Sequence, residues 1–198
     1  RHYCAHLFAW FLYDKNALKN YFEWHSDNLS SLFTEDDYKD ARLFFEFTAL
    51  REYLFSIRNQ KDYLLKKLNF EKLIFENNKG DIQKKKPDLA FYFPAKKTLV
   101  LTEAKFEEGF KLDQISETSN YGLALKEIFP DNIETIIVTL LGLEFRIRNF
   151  ANQHENSTVS WETIFNKIPE SALRSELKRG LDYQKRIHPK AMSDWQLV

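Results

Sequence analysis

KPDLAFYFPAKKTLVLTEAKFEEG, residues 86–109, decides how the rest of the chain is read. Two runs rich in aromatic and β-branched residues flank Pro94-Ala95-Lys96-Lys97, the pattern of a β-hairpin. With the turn at those four residues, Phe93 faces Thr98, and the numbers of facing residues sum to 191 throughout. That register sets Asp88 opposite Glu103, and facing side chains stand about 4.5–5.5 Å apart at Cβ. Alternation along the strand carries Lys105 onto the face of Glu103, while Thr102, Ala104 and Phe106 point the other way. The bland alternative is a surface hairpin with Glu103 and Lys105 in water. TLVLTEAKF is apolar on both faces, which argues against it.

Two carboxylates this close repel unless something positive or a shared proton lies between them. The Lys105 ammonium is one candidate and a divalent cation is another. Mg²⁺ takes oxygen ligands and commonly keeps water and a substrate phosphate in its shell. Such an ion polarises a phosphoryl oxygen and lowers the pKa of a bound water. A neighbouring lysine can orient that water or balance charge developing on phosphorus. The patch therefore holds the parts for phosphodiester hydrolysis.

Pro87-Asp88, a gap of 14 residues, and then Glu103-Ala104-Lys105 resemble the signature of the PD-(D/E)xK nuclease superfamily. The resemblance implies Asp88 and Glu103 as ligands of Mg²⁺, with Mn²⁺ able to substitute, and Lys105 as the catalytic lysine. It implies a restriction-endonuclease-like α/β fold: a mixed four-stranded sheet flanked by helices, in the order helix, three strands, helix, strand. It also implies nucleic acid, DNA foremost, as substrate, and a restriction or phage-defence setting. Cutting both strands needs two active sites, through a homodimer or a larger complex. The rival from another class is a non-catalytic DNA-binding or assembly subunit on the same fold, to which the neutral net charge is best suited.

The resemblance also implies an acidic residue in the helix before the sheet. Glu46 and Glu52 are the candidates. Glu46 lies within LFFEFTAL, either turned to the core beside a metal or a lysine, or at the edge of the apolar stripe and reaching water. Glu52, beside Arg51, reads as a surface charge. Gln114, on the helix after the hairpin, either contacts phosphate and orients Lys105 or is an ordinary first-turn polar residue. One subgroup of the family has Tyr four residues after this Gln. Here Thr118 holds that place and Tyr121 follows on the same face. Lys84, Lys85 and Lys86 lie just before Asp88 and either contact phosphates flanking the scissile bond or form a solvated charge run. Lys96 and Lys97 read as a solvated turn.

The remaining segments surround this core. RHYCAHLFAWFL and NALKNYFEWH have helical apolar spacing. DDYKDARLFFEFTALREYLFSIRN, residues 36–59, predicts a long helix: Leu43, Phe47, Leu50, Leu54 and Ile57 follow the rhythm of threes and fours, behind an acidic first turn. A further helix is expected over 61–68 and the first strand within EKLIFENN, residues 71–78. KLDQISETSNYGLALKEIF reads as a helix stopped by Pro130, and IETIIVTLL as a buried strand. GLEFRIRNF alternates like a more exposed strand. SWETIFNKIPESALRSELKRGLDYQKR reads as helical, with Trp161 packing the C-terminal helices, before a frayed tail.

The chain's 198 residues suffice for one substantial domain, a nuclease-like core near 40–140 with helical additions at both ends. There are 29 Lys and Arg against 29 Asp and Glu, which disfavours nonspecific coating of nucleic acid but permits a local basic groove. Cys4 is the sole cysteine, so no internal disulfide forms, and a reducing, cytoplasmic setting fits. No apolar run approaches membrane-spanning length. His2, His6 and Cys4 lie close together but lack the second half of a zinc site. The sequence opens without an initiating Met, which suits a longer protein in which residues before Arg1 supply a further acidic ligand.

Overall fold

The computed structural model describes residues 2–14, 16–25, 29–49, 86–151 and 157–193. The expected helix over 61–68, the expected strand within 71–78, Leu50, Leu54, Ile57, Glu52, Lys84, Lys85 and the tail from residue 194 lie outside them.

The hairpin takes the register its turn dictates. Strands β2 (Leu89–Phe93) and β3 (Thr98–Ala104) pair antiparallel, from Phe93 opposite Thr98 to Leu89 opposite Thr102. Pro94–Lys96 form a 3₁₀ turn, and Lys97 closes it at φ 46°, its N–H donating to the Pro94 carbonyl. Both faces of β3 are covered: Thr98 to Glu103 are all buried.

The expected long helix is corrected. Helix α3 (Glu35–Asp40) starts on the anticipated acidic turn, with Thr34 and Asp37 exchanging hydrogen bonds at its N-terminus, but it ends after six residues. Strand β1 (Arg42–Phe45) follows, antiparallel to β2 with Phe45 opposite Leu89. The edge of β2 offers a row of backbone partners to a Leu-Phe-Phe run, and aromatic residues suit strands, so tertiary pairing overrides the helical spacing. Glu46 then turns at φ 47°, a left-handed value no residue inside an α-helix adopts.

Helix α4 (Leu112–Ile128) forms as read, ending at Phe129 just before Pro130. It leads into β4 (Thr135–Gly142), the expected buried strand. Glu134 and Thr135 donate to Lys97, and Lys105 donates to Leu141. The bonds advance along β3 and β4 together, as in a parallel pair joined by a helical crossover.

GLEFRIRNF is also corrected: helix α5 (Glu144–Ala151) occupies it. Leu143 and Ile147, four apart, are buried, and the Glu162 carboxylate accepts from the Glu144 N–H at 3.0 Å to cap the helix start. Arg148 reaches back to Glu144 at 2.5 Å. Strand β5 (Ser157–Ser160) then pairs parallel to β4. The sheet is therefore mixed and five-stranded, in the order β1-β2-β3-β4-β5, rather than four-stranded.

Two helices are present at the start, α1 (His2–Tyr13) and α2 (Ala17–Glu23), and two at the end, α6 (Trp161–Lys167) and α7 (Ala172–Ile187). Ser160 and Ser171 cap α6 and α7 with their hydroxyls.

The chain gathers into two compact units, one of residues 40–103 and 111–138, the other of 1–39, 104–110 and 139–198. In the first, α4 covers the sheet with Tyr121, Ala124 and Leu125 against Ala90, Leu99 and Leu101. The approach is close at Gly122, where a Cβ would stand 2.5 Å from Ile136 Cγ2 and 3.1 Å from Leu101 Cδ1. In the second, Tyr3 stacks on Phe106 at 4.1 Å beside Trp161, and a Cβ at Gly180 would run into both Tyr3 and Phe106. Trp161 is buried there, at the head of α6, as expected of a packing residue. Among the described residues no helix is long and apolar enough to cross a membrane.

Candidate active site

The two antiparallel registers extend to one polar row. Facing numbers sum to 134 between β1 and β2 and to 191 between β2 and β3. The step beyond Phe45, Leu89 and Thr102 is therefore Glu46, Asp88 and Glu103. The Glu46 N–H donates to the Asp88 carbonyl at 3.0 Å, and the Phe47 N–H to Pro87 at 3.0 Å. Glu103 alternates with Leu101 onto the α4-covered face, while Glu46 and Asp88 lie just past the paired strands, at a left-handed turn and a bend. Three acids thus follow directly on the last paired row.

Each acid has its own surroundings. Glu103 is 4% exposed. Thr118 Oγ1 stands 3.4 Å from its Oε2 and 2.9 Å from the Gln114 carbonyl, so one hydroxyl proton serves two acceptors. Asp88 is half-buried at the bend leading into β2. Glu46 accepts from Lys86 Nζ at 3.3 Å, and both side chains are about a third exposed. Among the described residues no group of three or more His, Cys, Asp or Glu side chains is arranged to hold a metal. The row is a register of backbone positions rather than a three-carboxylate cage. Lys86, expected near phosphates, is engaged by Glu46.

Gln114 sits in the first turn of α4, and its Oε1 is buried with no hydrogen-bond partner among the described residues. A buried acceptor left unmatched costs about 1–3 kcal/mol, so it marks a place where a ligand or water belongs. Thr118, one turn on, turns its hydroxyl to Glu103. Tyr121 serves another end: its hydroxyl donates to the Phe47 carbonyl at 3.1 Å and fixes the segment after β1. The sequence marked Thr118 only as standing where the family subgroup has Tyr; its bond to Glu103 is a finding of the structure.

Lys105 is the first residue past β3 and belongs to the other unit. Its N–H donates to Leu141 at 2.8 Å and its carbonyl accepts from the Trp161 indole at 2.9 Å. The backbone that carries the ammonium is thereby held on both sides. Cys4 is buried, His2 lies 3.7 Å from Glu176, and the His6 ring meets the His2 ring edge-on.

No family model matches the chain, and neither a curated protein nor a solved structure is similar to it.

Proposed function

We propose that the chain is a metal-dependent nuclease of the PD-(D/E)xK type, on a restriction-endonuclease-like variant of the five-stranded fold, hydrolysing phosphodiester bonds in DNA. The observation that carries the reading is the β2–β3 hairpin, whose register ends at Leu89 opposite Thr102, one residue short of Asp88 on one strand and of Glu103, two residues before Lys105, on the other. The oxygens of Asp88, Glu103 and Gln114 are hard donors of the kind that Mg²⁺ takes. Asp88 and Glu103 would hold the ion, which when bound supplies Lewis acidity and a more acidic water.

The chain's own residues do the rest. Lys105 donates to the attacking water or to the phosphoryl oxygen as negative charge grows there. Its held backbone limits the reorganisation needed at that moment. Gln114 directs its amide oxygen toward the water or the ion. Thr118 keeps the Glu103 carboxylate oriented. Lys86, released from Glu46, can meet a flanking phosphate. Nothing in the scheme needs a covalent intermediate.

The engagement of Glu46 by Lys86 favours one second reading, a non-catalytic DNA-binding or assembly subunit on the same fold. A cleavage assay on plasmid and oligonucleotide substrates with Mg²⁺ or Mn²⁺ separates the two. Wild type should cleave and Glu103→Gln should not. Binding without cleavage by wild type would leave the subunit reading standing.

A further inference from the structure

Arg146 is placed oddly for a structural arginine. It lies in the first turn of α5, half-buried, and its Nε is buried without a hydrogen-bond partner among the described residues. Its Nη2 donates toward His188 Nε2 at 3.4 Å, and its guanidinium lies 5.0 Å from the Phe145 ring centre. No carboxylate among the described residues pairs with it. Glu144, two residues back, is taken by Arg148, while Glu107 and Glu108 are exposed and make no ion pair with it. A guanidinium drawn partly out of water against an imidazole and a phenyl ring is under-compensated, since neither neighbour carries negative charge.

Gly109 lies beside the guanidinium, where a Cβ would stand in ordinary contact, 3.7 Å from Nη1. The Phe145 and His188 rings lie 5.5 Å apart. A forked donor beside an imidazole and an aromatic face suits a tetrahedral anion attached to a flat group.

We propose that Arg146, with His188 beside it, binds a backbone phosphate of nucleic acid away from the scissile bond. In naming nucleic acid the proposal rests on the nuclease reading. The anion preference rests on the geometry alone. Planar guanidinium donors meet two phosphate oxygens at once, a geometry lysine cannot copy. Gly109 lies four residues beyond Lys105, so the subsite borders the segment that leaves the candidate catalytic lysine.

The test is fluorescence anisotropy with labelled single- and double-stranded oligonucleotides, in EDTA to prevent cleavage, over a series of KCl concentrations. Arg146→Gln should weaken binding about 5- to 10-fold and lower the salt slope by about one counterion. Arg146→Lys should keep the slope and weaken binding less. His188→Gln should fall between wild type and Arg146→Gln. A folded Arg146→Gln protein with wild-type affinity and slope overturns the proposal, as does wild type that binds neither oligonucleotide. Should Arg146→Gln fail to fold, Arg146→Lys decides: weaker binding at an unchanged slope supports the subsite, and wild-type affinity overturns it. The nuclease reading fails separately. It fails if wild type never cleaves while Arg146→Gln still loses its counterion. It survives if Glu103→Gln abolishes cleavage while Arg146→Gln leaves the slope unchanged.

Discussion

Oγ1 of Thr118 stands 3.4 Å from Oε2 of Glu103, linking the first half of α4 to the buried end of β3. Thr118→Val keeps the shape and removes the donor. The expected cost is about 1–2 kcal/mol, because a buried acceptor loses a partner. Urea denaturation measures it. Val at wild-type stability would mean that the hydroxyl serves only the Gln114 carbonyl.

Asp88→Ala should abolish divalent-dependent cleavage while keeping the fold and equalling or exceeding wild type in thermal stability. Removing one of two facing carboxylates relieves their repulsion when no cation is bound. Cleavage at the wild-type rate by the purified variant would remove Asp88 from the site.

Lys105→Ala should lose cleavage by a factor on the order of 100 or more, the usual effect of deleting one stabilising donor. Mn²⁺ binding, followed by calorimetry, should stay equal or tighten slightly, because the ammonium no longer competes for the carboxylates. Lys105→Arg should rescue poorly, since its planar fork replaces a compact point charge. Lost Mn²⁺ binding with an intact fold would show that the lysine supports the ligands instead.

Glu162 gives the fold a pH dependence. Burial raises its carboxyl from 4.5 to about 7, against the hydrogen bond from the Glu144 N–H, which lowers it. A raised folded-state value means that the native protein holds its proton where the unfolded chain has released it. The group's contribution is thus fully present below pH 4.5 and is lost as pH rises to about 7. The shift corresponds to a loss on the order of 3 kcal/mol across that window. Glu162→Gln still accepts from Glu144 and never ionises. It should match wild type in acid and exceed it at neutral pH. Stability curves that stay parallel across the window would refute this.

Gly122→Ala sets two magnitudes against each other. Alanine in a helix gains about 1 kcal/mol over glycine. The new methyl would meet Ile136 Cγ2 at 2.5 Å and Leu101 Cδ1 at 3.1 Å, so a packed side chain must shift. Overpacking of this kind costs about 1–3 kcal/mol, so net destabilisation is expected in thermal melts, and a raised melting temperature would contradict it.

The hairpin could be read from sequence because its information is local: a turn, two apolar runs, and a sum that fixes every pair from Phe93 and Thr98 to Leu89 and Thr102. Strand β1 could not. Leu43 and Phe47 have helical spacing, and what decides against a helix is the vacant edge of β2, more than forty residues away. Leu143 and Ile147 suit a strand or a helix equally until Glu162, eighteen residues on, caps the start of α5. β5 holds one apolar side chain, Val159, in four residues and leaves no periodic trace. Among the candidate site residues, the place of Glu103 at the end of β3 was legible through the hairpin, whereas the bond of Thr118 to Glu103 was not anticipated. The Lys86–Glu46 contact spans forty residues and Arg146 lay in a segment read as a strand, so neither had a local signal.

The double hold on Lys105 has a mechanical meaning. With its N–H tied to Leu141 and its carbonyl tied to Trp161, the main chain there cannot creep along its neighbour to adjust where the side chain departs. The ammonium is a weight on a four-carbon tether nailed down at the near end. Its working radius is then a fixed length, and whatever it serves must come within that circle.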